Sequence, residues 1–175
     1  IPHGPRDEER RILLRGGILL GSVVAVASAF QQWGIVGTEA GPAGFITGLY
    51  VVFTPVLGLA LGVRTHRATW IGCGLAVIGM WFLAFKGEAE GMTLDIPALL
   101  VLVGAFGWGV QVLVVDRYSP RTDPIELTVL QFAVVSVLSF AGAVVTEGPA
   151  SLDVIGIVRA APVEIAYSGI LAIGV

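Results

Sequence analysis

Thr47, Tyr50 and Thr54 follow one another at spacings of three and four residues, within an otherwise apolar stretch, GFITGLYVVFTPVLGLALG. On a helix they share one side. Farther along, Trp108 and Gln111 stand three apart and also share a side, and Thr128, Gln131 and Ser139 fall within about 80° of helical arc. Hydroxyl, amide and indole groups in an apolar setting can do one kind of chemistry: recognise a small polar solute by hydrogen bonds, without formal charge. An amide in hydrocarbon is costly unless paired, so Gln111 and Gln131 are expected to face inward. The alternative use of the same groups is helix–helix attachment. A threonine can also bond back to its own helix, whereas the Tyr50 hydroxyl needs a partner from elsewhere.

The same stretch carries Pro55 and four glycines. Advancing 100° per residue puts Gly44, Gly48, Val51, Pro55, Gly58 and Gly62 on one narrow stripe, about 90° around from the hydroxyls. Gly44/Gly48 and Gly58/Gly62 are small-xxx-small pairs that admit a neighbouring helix closely, and Gly17/Gly21 is a third. Pro55 removes a backbone donor and predicts a kink with one carbonyl released; such breaks are tolerated where protein or a water-filled cavity satisfies the backbone again.

Other chemistry is poorly represented. Cys73 is single and lies in an apolar run, so it reads as a small buried side chain, and His3 and His66 lie far apart in polar segments. No metal set, cofactor motif, phosphate loop, HExxH pair or nucleophile elbow is present, so neither a cofactor nor an enzymatic activity is expected. No Asp, Glu, Lys or Arg falls in the middle of the first five apolar runs, where an ion pump normally keeps one. A channel would want a filter sequence or a ring of like residues, and neither is evident. No basic tract predicts nucleic-acid binding.

The elements that must position these residues follow from hydropathy. Apolar residues make up 55% of the 175 and charged residues 13%, with a mean hydropathy of +0.89. Uncharged runs extend over 16–38, 40–63, 68–85, 96–115 and 127–146, and a sixth opens at Ile165. Each full run approaches the ~20 residues needed to cross hydrocarbon as a helix. The runs are continuously apolar rather than alternating, so the expected fold class is all-α, a polytopic transmembrane helix bundle rather than a barrel. Trp33, Trp70 and Trp81 lie near run ends, as an aromatic belt would place them.

If the chain weaves regularly, Arg6, Arg10, Arg11, Arg15, Arg64, Arg67, Arg117 and Arg121 fall on one side, and only Lys86 and Arg159 on the other. That bias predicts a cytoplasmic N-terminal segment. The opening residues do not read as a signal peptide, because acids are mixed with the arginines and the following apolar run is long. They read as a cytoplasmic loop, 1–15, arriving from an earlier helix, and the chain reads as a piece of a longer protein. Gly17-Ile18-Leu19 resembles Gly169-Ile170-Leu171, and Val23 matches Val175 at the same offset of 152 residues. The second copy lies five helices after the first and must cross in the opposite direction, so such a repeat would be inverted, and a parent of roughly 300 residues and ten helices follows on that logic.

Gly37-Thr38-Glu39-Ala40-Gly41-Pro42-Ala43-Gly44-Phe45-Ile46-Thr47-Gly48-Leu49-Tyr50, with Pro55 and Arg67-Ala68-Thr69-Trp70-Ile71-Gly72, resembles EamA-type permeases of the drug/metabolite transporter superfamily. The resemblance implies ten helices in two inverted five-helix repeats that move small metabolites across the bacterial cytoplasmic membrane. It implies that residues 16–85 end a first repeat, 86–95 form the external loop between repeats, and 96–175 begin a second. A central pocket is implied too, which raises Gln32, Thr47, Tyr50, Trp108 and Gln111 beside Thr54 and Gln131. The partners so implied are a small-molecule metabolite, the lipid bilayer, the remaining helices of the same parent chain and, in some assemblies, a second copy as a homodimer. Where many relatives carry a Glu at the cytoplasmic end of the second run, this chain has Val63-Arg64-Thr65-His66, so no role of that acid carries over. A non-transport structural or accessory membrane subunit is the alternative function.

Overall fold

The computed structural model describes residues 5–63, 65–84, 95–148, 156, 158, 161–163 and 167. It divides into two compact units, Ile1–Ser136 and Val137–Val175. The described residues are helical almost throughout: α1 (Pro5–Ile35), α2 (Ala40–Gly48), α3 (Tyr50–Ala60), α4 (Arg67–Ala84), α5 (Ile96–Tyr118), a 3-10 turn (Ser119–Arg121) and α6 (Pro124–Glu147). Among them, Glu8–Ile35, Ala40–Ala60, Ile96–Arg121 and Pro124–Thr146 are long and apolar enough to cross a membrane, and Arg67–Phe82 is a shorter apolar helix.

In the first unit the helices alternate in direction. Gly34 lies against Val101 and Pro97, while Ala27, two turns earlier, lies against Gly104 and Gly107, so α1 and α5 run antiparallel. Gly48 meets Met80 and Val51 meets Cys73, so α4 runs antiparallel to α2–α3. Gly16, Gly17 and Gly21 meet Leu127, Leu130 and Val134 in the same order, so the start of α6 is parallel to α1. Regular weaving therefore holds over these elements. It brings the start of α1, the end of α3, the start of α4 and the end of α5 to one end of the unit.

The close approaches have a cause in side-chain size. A Cβ on Gly34 would sit 2.7 Å from the Pro97 carbonyl oxygen and the Val101 nitrogen, and one on Gly21 would sit 2.8 Å from the Gln131 carbonyl oxygen. Only glycine lets the backbones come this near. Between these contacts Leu20, Val24 and Ala27 form the buried face of α1. A second cluster joins α2 to α5 through Phe45, Ile46, Ala98 and Val101, with Leu49, Val77, Met80 and Leu102 around it. On α4, Ile71, Leu75, Ile78 and Phe82 point outward at spacings of four, three and four, an apolar stripe of the kind lipid covers.

Three local features differ from the sequence expectations. First, α1 takes in residues 5–15, expected as a loop: proline suits a first helical position, and Glu8 and Glu9 complement the positive end of the helix dipole. At 31 residues α1 is about 46 Å long, well beyond a ~30 Å hydrocarbon layer. Second, the run 40–63 is interrupted at Leu49, six residues before Pro55, where the Leu49 and Val52 amides bond the carbonyls three residues earlier, Ile46 at 3.1 Å and Leu49 at 2.9 Å. Pro55 itself lies inside α3; its missing N–H and its ring disturb the turn before it, and the chain tightens upstream. Third, Gly62 has φ +81°. Its amide bonds the Leu59 carbonyl, and the Val63 amide reaches back to the Gly58 carbonyl at 2.9 Å. That pair of bonds is the Schellman ending of α3, which needs a left-handed residue.

Asp95 caps α5, accepting from the Ala98 amide at 2.9 Å. Asp123 caps α6, accepting from the Ile125 and Glu126 amides at 2.8 and 3.3 Å. In the second unit the described chain is the remainder of α6 and a few later positions. The echo at 169–171, Val175, the 86–94 stretch and, apart from residue 167, the sixth run lie outside the described residues.

Candidate polar site between three helices

Gln31 is the centre of the polar chemistry. Its Nε2 donates to the Thr47 hydroxyl at 3.0 Å, and its Oε1 accepts from the Trp108 indole Nε1 at 2.9 Å. One amide thus ties α1 to α2 and to α5. All three side chains are half-buried. The indole N–H only donates, so the amide oxygen must face Trp108 and the amide nitrogen must face Thr47.

The local sequence explains the meeting. Gln31 continues the inward face of α1 marked by Leu20, Val24, Ala27 and Gly34, at spacings of four, three, four and three. Gly104 makes room on α5, since a Cβ there would lie 3.1 Å from the Gln31 Cβ. Trp108 follows Gly104 by one helical turn and so reaches the Gln31 amide. Gly48, next to Thr47, leaves space for Met80. Nearby, Phe53 meets the face of Gly109 and stacks edge-on with Phe106 at 5.9 Å between ring centres. None of the three network residues carries a formal charge.

The other expected residues are distributed as follows. Tyr50 opens α3 and is exposed. Thr54 donates to the Tyr50 carbonyl at 2.8 Å, satisfying itself within its own helix. Gln111 is half-buried, one turn beyond Trp108 on α5. Gln131 is buried in the stretch of α6 that packs on Gly17 and Gly21, which is ten residues or about 15 Å along α1 from Gln31. Gln32 is exposed; its neighbour Gln31 holds the inward position. Pro55 is buried, and the Val51 carbonyl, whose usual donor it lacks, accepts instead from the buried Cys73 thiol at 3.4 Å. Of the four glycines assigned to packing, Gly48 meets Met80 and Gly58 makes ordinary contact with Leu113 at 3.7 Å, while Gly44 and Gly62 face open space. Among the described residues no group of three or more His, Cys, Asp or Glu could hold a metal ion.

Sequence reasoning therefore chose Gln32 rather than its neighbour Gln31 for the pocket and, among the close-packing glycines, missed Gly34, Gly104, Gly107 and Gly109. The signal for Gln31 was available in the register of Leu20, Val24 and Ala27. The glycine contacts depend on which helices are neighbours, which a single sequence does not state.

No family model matches the chain, and no solved structure matches it. The chain is 29% identical over 134 residues to a protein of Archaeoglobus fulgidus named only as an uncharacterized transporter. The match takes in 75% of this chain and 42% of that protein, so the chain spans less than half the length of the relative. Long apolar helices and this likeness together point to a multi-pass membrane protein.

Proposed function

We propose that the chain is part of a secondary transporter that moves a small polar or amphipathic metabolite across a cytoplasmic membrane by alternating access. The observation that carries this reading is the Gln31 amide, bonded at once to Thr47 and Trp108 from three different helices. Polar groups held together without charge inside apolar helices suit a solute site near the middle of a bundle. The likeness to a transporter supports the same reading. The EamA-like organisation belongs to this proposal: 16–85 as the end of one repeat, 86–95 as an external loop, 96–175 as the start of an inverted second, and the N-terminal segment in the cytoplasm of a bacterial cell. Substrate binding by Gln31, Thr47, Trp108 and Gln111 belongs to it as well, as do the bilayer, the rest of the parent chain and a homodimeric assembly as partners.

The rival, a non-transport membrane subunit, draws on the tight glycine contacts along α1. Thiol accessibility separates the two. In the full-length parent with Cys73→Ser, Thr47→Cys and Gln111→Cys are exposed to a membrane-impermeant thiol reagent in intact cells and in inverted vesicles. Labelling from at least one side is expected. No labelling from either side, with Glu90→Cys reactive from outside, would make these residues helix attachments and sink the proposal.

A further inference from the structure

Thr47 behaves unlike the other threonines that make side-chain hydrogen bonds, three of which, Thr54, Thr128 and Thr146, lie within helices. Thr38, Thr54, Thr122, Thr128 and Thr146 each donate to the carbonyl four residues earlier, at 2.7–3.1 Å. That back-bond is the usual way a threonine satisfies itself at membrane depth. The Thr47 hydroxyl does not make it; it accepts from Gln31 instead, and its own proton has no partner among the described residues. The order of the network fixes what remains. Trp108 gives its one N–H to Gln31, and Gln31 gives one of its two amide protons to Thr47. Two donors are left over: the second Gln31 N–H and the Thr47 O–H. The oxygens of Gln31 and Thr47 each already accept once. A donor without an acceptor in an apolar setting is costlier and rarer than an oxygen with a spare lone pair.

On the solute-site reading above, we propose that this site selects an acceptor oxygen: a carbonyl, carboxylate or ether group presented to the Thr47 hydroxyl and the Gln31 amide, on a solute whose apolar body lies against aromatic rings such as Phe53 and Phe106. Trp108 is the residue that sets the polarity. Because it can only donate, it keeps the Gln31 oxygen turned away from Thr47 and the amide donors turned toward it. A solute that only donates, such as an ammonium group, meets the wrong end of the network.

Two probes of matched body distinguish these cases. N,N-dimethylphenylacetamide has one polar function, an acceptor carbonyl, and phenethylammonium only donates. In the purified full-length parent, with every tryptophan except Trp108 changed to Phe, emission is titrated with each. Saturable change with the dimethylamide is expected, at least about tenfold tighter than with phenethylammonium. Thr47→Val should weaken the dimethylamide about tenfold, the effect of one lost hydrogen bond, and Thr47→Ser should restore it. Equal or tighter binding of phenethylammonium overturns the proposal. So does an unchanged Thr47→Val titration, or saturable binding of neither probe. Labelling of Gln111→Cys in vesicles is read alongside. Labelling without preference for the dimethylamide refutes the acceptor class alone; no labelling from either side refutes the solute site itself.

Discussion

Cys73 and Pro55 should be energetically coupled, although they lie on different helices. Pro55 deprives the Val51 carbonyl of the amide that would bond it in a regular helix. The Cys73 thiol, buried on α4, donates to that carbonyl at 3.4 Å. A thiol is a weak donor, but the alternative is a carbonyl with no hydrogen-bond donor in an apolar interior, which costs about 1–3 kcal/mol. Cys73→Ala should therefore destabilise the parent protein by about 2 kcal/mol, of which about half is the unmade hydrogen bond and the rest lost sulfur packing. Pro55→Ala supplies an amide at position 55 that can bond the Val51 carbonyl directly. In that background the thiol is redundant, and Cys73→Ala should cost only the packing share, about 1 kcal/mol. The double-mutant cycle thus predicts a coupling of about 1 kcal/mol.

The assay is reversible unfolding of the full-length parent in mixed micelles with increasing SDS, followed by helical circular dichroism. Cys73→Ser, which keeps a donor, should lie nearer wild type than Cys73→Ala does. If Cys73→Ala costs the same with Pro55 as with Ala at that position, the thiol is not answering the proline, and the account of how the break in this span is tolerated fails.

Two further outcomes are read from the same titration. Gly34→Ala drives a methyl against the α5 backbone, 2.7 Å from both the Pro97 oxygen and the Val101 nitrogen, and should cost about 1–3 kcal/mol, whereas Gly79→Ala, with nothing within 4 Å, should be neutral or mildly stabilising; equal effects would refute the close approach of α1 and α5. Asp123→Ala removes the cap of α6 and should cost about 1 kcal/mol, while Asp123→Asn should retain most of it.

The spans were legible in the sequence because a helix in lipid must be apolar along its length, and that requirement does not depend on its neighbours. The alternation of direction was legible for the same reason: short links between long runs force it. The details of the site were less legible, because they turn on helix phase and on partners. Gln31 and Gln32 are equivalent in composition, yet 100° of rotation separates them. One lies in register with Leu20, Val24 and Ala27 and meets two other helices; the other is exposed. Gly62 fits the glycine stripe by spacing, but it sits where α3 ends, and its positive φ serves that ending. Cys73 read as a small apolar side chain, and it is buried, but its use depends on a proline on another helix that linear spacing does not connect to it.

Gln31 occupies a position that packing alone would give to leucine or alanine. Its neighbours in register, Leu20, Val24 and Ala27, are buried and apolar, and Gly34 closes the stripe against α5. Attachment of α1 to α5 does not require an amide there, because Gly104 and Gly107 already bring the two backbones into contact. Nor does Thr47 require Gln31, since a threonine on a helix can satisfy itself as Thr54 does one element later. On the proposed solute-site reading, the need to offer donors to a solute accounts for both choices: the amide is held in one orientation by an indole that cannot accept, and the hydroxyl is drawn off its own helix and accepts from that amide.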